Sequence, residues 1–135
     1  MTKRLIHSFA VIFLTAAYVH AGPSVTAQIP FAFHVGDSIL PSGSYTTDTS
    51  IAAGGVLLLR SADGKSSVMV LSNGVPSPAG PAQAKLIFHK YGDDYFLFQV
   101  WTGSGDTGRE LPESRREKEL AAAAKRSIQT VLARR

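Results

Sequence analysis

The chain has 135 residues, with 14 lysine and arginine residues against 10 aspartate and glutamate residues, four histidines and no cysteine. This length fits one domain, and the absence of cysteine excludes disulfides, thiolate metal sites and cysteine nucleophiles. With 44% hydrophobic and 18% charged residues, the composition is that of a folded chain and not of a disordered one.

Residues 1–27 have the pattern of a secretory signal peptide, which predicts export to the periplasm or beyond the cell. Lys3 and Arg4 precede an apolar stretch over 5–19, which is shorter than the ~20 residues needed to span a bilayer. Cleavage is predicted after Ala21 or after Ala27, because each ends a motif with small or branched residues at positions −3 and −1. After cleavage, we expect no membrane span.

Residues 28–108 are predicted to form an antiparallel β-domain, since short apolar runs alternate with turn residues. The expected strands cover 29–35, 44–50, 56–60, 68–71, 84–91 and 95–102. A loop is expected over 73–81, which holds three prolines and two glycines. The predicted fold class is therefore mainly β, an antiparallel meander of six or seven strands that forms a small barrel or sandwich with one short C-terminal helix.

Residues 109–135 are predicted to form a helical C-terminal segment. Ser114 and Glu117 have the spacing of a capping box, and 115–126 is rich in good helix formers. Two alternatives remain for 128–133: its β-branched residues favour a final strand, whereas Ile128 and Leu132 would continue the apolar stripe of one long helix. The charges of the segment are mixed and lie at helix-neighbour spacing, so we expect a solvated face and no nucleic-acid partner.

The hairpin over 84–102 carries the candidate ligand-binding residues. A three-residue loop would pair Tyr91 with Tyr95 and would place polar-tipped rings on the face opposite the core. The candidates on that face are His89, Tyr91, Tyr95, Gln99 and Trp101. Such side chains suit a sugar or another small amphipathic ligand. The face is either open to solvent or covered, with the C-terminal helix packed over it.

Two motifs suggest chemistry that we do not predict. Residues 103–108 match GxGxxG, but too few residues follow for a dinucleotide-binding domain. Residues 36–39, Gly-Asp-Ser-Ile, resemble the first block of the GDSL esterases, in which Ser38 would be the nucleophile, but Pro41 argues against the helix that must follow and no Asp-x-x-His occurs. We therefore predict no catalytic residue and no cofactor.

Metal binding is not predicted either. His34 falls on the polar face of its strand and is expected to be solvated, while the position of His89 on the aromatic face is more ambiguous. Asp93 and Asp94 are expected to be residues of a hairpin turn, and a role as a pair of metal ligands is the less favoured alternative.

A set of segments is similar to those of a group of small exported bacterial proteins with a signal peptide and no assigned activity. The segments are IPFAFHVG at 29–36, LPSGSY at 40–45, YFLFQVW at 95–101 and GRELPES at 108–114. The resemblance covers about residues 28–126 and implies an exported β-domain with a short helix near its end. It implies no catalytic residue.

The expected function is that of an exported, non-catalytic β-domain that binds a cell-envelope component or a small ligand through the aromatic face. Two alternatives are a small exported serine hydrolase that uses Ser38 and a purely structural protein of the cell envelope. A reactive serine would distinguish the first alternative, and association with cell-wall material that soluble sugars do not displace would distinguish the second.

Overall fold

The structure is a computed structural model that describes residues 24–49, 55–77, 80, 83–105 and 107–135. The apolar segment of the predicted signal peptide and the predicted turn residue Gly54 lie outside the described residues. Within the described part, the chain is mainly β, with eleven strands and one short helix.

The elements follow one another in short segments along the chain. They are β1 (Ser24–Ile29), β2 (Phe33–Val35), β3 (Ser38–Leu40), β4 (Gly43–Asp48), β5 (Val56–Ser61), β6 (Ser67–Leu71), β7 (Asn73–Pro76), β8 (Lys85–Tyr91), β9 (Asp94–Trp101), β10 (Thr107–Glu110), α1 (Arg115–Ala123) and β11 (Ser127–Arg134).

The strands form a barrel-like sheet that nearly closes on itself, in the order β3-β2-β9-β8-β11-β1-β4-β5-β6. β6 continues through Ser72 into β7, which pairs with β10, and β10 pairs with β9. Arg109 holds this corner, because its Nη2 donates a hydrogen bond of 2.6 Å to the carbonyl of Ser72. The inner face of the sheet carries the apolar core, which includes Val25, Ile29, Phe33, Val35, Leu57, Leu59, Leu86, Phe88 and Val100.

The expectation of six or seven strands in a meander is wrong. β3 and β10 are short strands between turns, and β7 lies in the segment predicted to be a loop. The predicted first strand over 29–35 is divided at Pro30, which lacks a backbone N–H to donate to a ladder. The topology is also not that of a meander, because β11 lies between β8 and β1 and because β2 pairs with β9 in parallel.

The predicted register of the β8–β9 hairpin is correct far from the turn and wrong near it. Leu86 pairs with Val100 as expected, but Tyr91 pairs with Asp94 across a two-residue loop and Phe88 pairs with Leu97. An irregularity between Ile87 and Phe88 absorbs the difference of one residue. A bulge of this kind changes which side chains face the core, so the membership of the two faces also changes.

The C-terminal segment contains both a helix and a strand. α1 begins after Ser114, whose Oγ accepts a hydrogen bond of 3.2 Å from the N–H of Glu117. Between the two alternatives for 128–133, the structure has a strand, β11, which pairs with β8 on one side and with β1 on the other. In the part of the chain that is described, no helix is long and apolar enough to cross a membrane.

Candidate functional site

The candidate residues of the hairpin do not share one face. The bulge places Tyr95 on the inner side, where its ring stacks on Phe31 with 3.7 Å between centroids. His89, Tyr91 and Trp101 are all buried, because β10 and the C-terminal segment contact the outer side of the hairpin. The predicted aromatic face is thus divided between two environments, and three of its rings are closed to solvent.

Trp101 is covered by β10. Its Nε1 donates to Gln99 Oε1 at 3.1 Å, and Gln99 Nε2 donates to Glu110 Oε1 at 2.9 Å. A Cβ added at Gly108 would lie 2.7 Å from the indole ring, closer than real Cβ contacts. The last glycine of the GxGxxG match therefore makes room for a tryptophan, while Gly103 and Gly105 have positive φ angles in the preceding loop.

His89 forms a buried pair with an acid of the helix. Its Nδ1 lies 3.1 Å from Glu117 Oε1, and both side chains are almost fully buried. The imidazole ring also stacks on Phe98, with 3.9 Å between centroids. Glu117 is the one buried residue of α1 in the structure. The one buried side chain that anchors the helix to the sheet is thus ionisable.

An arginine completes a polar network beside this pair. Arg126 Nε donates to the hydroxyl of Tyr91 at 2.8 Å, and its Nη2 forms a salt bridge with Glu113. The guanidinium also lies 5.7 Å from the centroid of the Tyr91 ring. The five groups, His89, Tyr91, Glu113, Glu117 and Arg126, come from three separate segments, so only the folded chain brings them together.

Burial shifts the protonation of the pair. Burial raises the pKa of Glu117 to about 7, with a further contribution from the negative charge of Glu113 and an opposing one from Arg126. Burial, aided by the charge of Arg126, lowers the pKa of His89. Both shifts disfavour the charged forms. Near neutral pH the contact can therefore hold a proton between the carboxyl and the imidazole.

The same cluster is where a metal ion could be held. Ligand atoms of His89, Glu113 and Glu117 lie within 4.8 Å of one another. The guanidinium of Arg126, however, already supplies a cation to Glu113. The carboxylate charge is thus compensated by the protein itself, and we propose no metal at this site.

A second group of charged residues borders an open cleft. The cleft has a volume of about 300 Å³ and lies between the β2–β3 hairpin, the β8–β9 turn and α1. Its lining includes Ala32, Phe33, His34, Ile39, Asp93, Asp94, Tyr95 and Arg116. We call this the His34 cleft.

His34 is less solvated than the sequence predicts. Its ring stacks on Phe96 with 4.2 Å between centroids, and its Nε2 lies 3.5 Å from Asp94 Oδ1. Asp94 is thus the first residue of β9 as well as a partner of His34, and not part of a three-residue loop. Tyr95 is the one ligand candidate of the hairpin that lines this cleft.

The serine of the GDSL-like block is not brought to a base. Ser38 pairs with Val35 in the β2–β3 hairpin, whereas Ile39 pairs with His34. Directly paired residues share a face and successive residues alternate, so Ser38 and His34 point to opposite sides. Among the described residues, no hydrogen bond joins Ser38 to a histidine.

Comparison with other proteins adds nothing to this geometry. No family model matches the chain, and neither a curated protein nor a solved structure does. The site must therefore be interpreted from its own residues.

From the sequence, Asp93 and Asp94 were named, but Glu117, Arg116 and Arg126 were not placed at a site. Glu117 was assigned to a capping box, and Arg116 and Arg126 to a solvated helix face. One feature of the sequence did indicate the burial of Glu117. Apart from Leu120, α1 has only alanines as apolar side chains that could pack against the sheet.

Proposed function

We propose that the protein is an exported, non-catalytic β-domain that binds a small amphipathic ligand in the His34 cleft. The observation that carries this proposal is the combination, in one open cleft, of the Tyr95 ring, the cation of Arg116 and the acids Asp93 and Asp94. Small-molecule sites typically combine apolar walls with a few polar groups in a concave space of at least about 300 Å³.

The chemistry of the lining indicates the class of ligand. Arg116 can bind an anionic group, and Asp94 can accept hydrogen bonds from an amine or a hydroxyl. Ile39 offers an exposed apolar wall. A zwitterion with a small apolar part, such as a short peptide of the cell envelope, fits these three requirements.

The walls of the cleft differ in rigidity. The ring of Tyr95 is fixed from behind by its stack on Phe31, and His34 is fixed by its stack on Phe96. Arg116 is more than half exposed, and among the described residues its one ion-pair partner is Glu119 at 3.7 Å, so its side chain can reorient toward a ligand. A fixed aromatic wall and an adjustable cation favour recognition of a charged end group.

Two other cavities are poorer candidates. They have volumes of about 190 and 290 Å³ and lie beside β4 and β5. The first includes Tyr45 and Asp63 but no cation, and the second includes Asp48 and Arg60 but no ring. Neither combines an aromatic ring with charges of both signs.

Export and the position of cleavage belong to the same proposal. β1 pairs with both β4 and β11, and its residues Val25 and Ala27 are buried in the core. Cleavage after Ala27 would remove both of these side chains, whereas cleavage after Ala21 would leave β1 intact. We therefore favour cleavage after Ala21, which mass spectrometry of the exported protein would measure.

Ligand binding can be tested with zwitterionic dipeptides. We expect alanyl-alanine, tested in its L and D forms, to shift amide NMR resonances around the His34 cleft. Arg116→Ala should weaken binding at least tenfold, because it removes the cation that faces the carboxylate. Arg115→Ala is the matched control, since Arg115 lies next to it on α1 but does not line the cleft.

Three results would contradict the proposal. They are the absence of shifts at millimolar dipeptide, shifts confined to the cavities beside β4 and β5, and equal weakening by both arginine variants. Labelling of Ser38 by a fluorophosphonate probe would instead support the hydrolase alternative.

A further inference from the structure

We propose that the outer face of β8 and β11 binds the surface of an anionic phospholipid membrane. This surface, which we call the β8–β11 patch, consists of the apolar side chains of Ile87, Ile128 and Leu132 and the cations of Lys85 and Arg134. It is separate from the His34 cleft and does not depend on the ligand proposed for it.

The apolar part of the patch is continuous. Ile128 is 58% exposed and Leu132 is 62% exposed, on a strand whose other face contributes Val131 and Ala133 to the core. On β8, Ile87 pairs directly with Thr130, which lies between Ile128 and Leu132 on β11. Diagonal neighbours on one face of an antiparallel pair are about 7–8 Å apart or less, within reach of aliphatic side chains.

Two cations lie beside this apolar strip on the outward face of β8 and β11. Lys85 is the cross-strand partner of Leu132, and Arg134 follows two residues later on the same face. Among the described residues, neither cation has an ion-pair partner. The outward positions of β8, β11 and β1, three strands that are described in full, contain no acid.

This combination matches the chemistry of a membrane interface. Aliphatic side chains enter the boundary of the acyl chains, and lysine and arginine side chains are attracted to the anionic surface. A purely apolar partner would leave the two cations without a counter-charge. Anionic lipid satisfies both parts of the patch at once.

A second exposed apolar patch provides the contrast. On β5 and β6, Met69 is 64% exposed and Leu71 is 67% exposed, with Leu58 and Val56 as their cross-strand partners. The outward face beside these side chains holds one cation, Arg60, and one acid, Asp48. The β5–β6 patch is thus as apolar as the β8–β11 patch but carries one outward cation instead of two, so it serves as the control surface.

Vesicle co-sedimentation tests the proposal with protein recovered from the exported fraction, so that the apolar stretch over 5–19 does not contribute. Vesicles of phosphatidylcholine alone are compared with vesicles that also contain phosphatidylglycerol. We expect binding only to the anionic vesicles and a decrease with added salt. Ile128→Ser with Leu132→Ser, and separately Lys85→Gln with Arg134→Gln, should each weaken binding at least tenfold.

Met69→Ser with Leu71→Ser should leave vesicle binding unchanged. Circular dichroism of each variant establishes whether it is folded. If the Ile128→Ser, Leu132→Ser variant does not fold, the Lys85→Gln, Arg134→Gln variant still tests the proposal. The proposal is overturned if anionic vesicles do not bind the protein, if neutral vesicles bind it equally, or if the β5–β6 variant loses binding as much as the β8–β11 variants. Dipeptide binding in the His34 cleft is measured separately and is unaffected by any of these outcomes.

Discussion

Phe88 and His89 are adjacent residues, both fully buried, and they lie on opposite sides of the sheet. Phe88 packs inside, with its ring edge-on to those of Phe31 at 5.0 Å and Phe33 at 5.5 Å. His89 packs outside, against Phe98 and the carboxyl of Glu117. Phe88 is thus held on the inner side by contacts between rings, and His89 is held on the outer side by a contact that can gain or lose a proton.

The two sides therefore differ in how their contribution to the free energy of unfolding depends on pH. Apolar burial contributes free energy that does not vary with pH, whereas a buried acid contributes according to its protonation. The closed sheet should therefore persist under conditions in which the attachment of α1 weakens. The predictions that follow test this separation, beginning with the largest effect.

Phe88→Ala should lower the free energy of unfolding by about 3–5 kcal/mol, because it removes a ring from the inner core. Urea denaturation would measure the loss. The loss should be the same at pH 5 and at pH 8. Met69→Ala, at an exposed position, is the control and should change stability by less than about 0.5 kcal/mol.

The contribution of Glu117 to the free energy of unfolding should fall as the pH rises from about 5 to about 8. The pKa of Glu117 is raised from 4.5 to about 7 in the folded chain, so the folded state holds a proton that the unfolded state has lost in this range. The difference corresponds to at most about 3 kcal/mol. Below pH 6.5 the depressed pKa of His89 acts in the opposite direction and offsets part of this decline, because the unfolded state binds a proton that the folded state does not.

Glu117→Gln should remove most of the decline above pH 5, because glutamine stays neutral. Glu119→Gln is the matched control, since Glu119 lies on the same helix but is exposed. Chemical denaturation at a series of pH values would compare the three proteins. Parallel pH profiles for all of them would show that the buried carboxyl does not control the attachment of α1.

Ser114→Ala should have the smallest effect, a loss of about 1 kcal/mol or less. It removes the side-chain acceptor for the N–H of Glu117 at the start of α1. Amide hydrogen exchange should quicken within α1 and stay unchanged in β8 and β9. Faster exchange throughout the sheet would instead mean that the helix and the sheet open together.

Local sequence signals predicted where the strands and the helix lie better than they predicted which strands pair. Alternation and turn residues located the strands that became β5, β6, β8 and β9, and the cap at Ser114 located the start of α1. The bulge in β9 was not predictable, because a two-residue and a three-residue loop after Tyr91 leave the same apolar pattern. The outer network was missed because His89 and Glu117 are 28 residues apart and meet only in the closed sheet.

The position of β11 makes one seam of the sheet depend on the C-terminal segment. β11 lies between β8 and β1, so Ser127–Arg134 must be present before these two strands are joined, although β2 contacts β9 without it. Until then, β1 lacks one of its two neighbours and the apolar rows of β8 remain uncovered on that side. The sheet therefore reaches its full strand pairing only when this segment has joined β8 and β1.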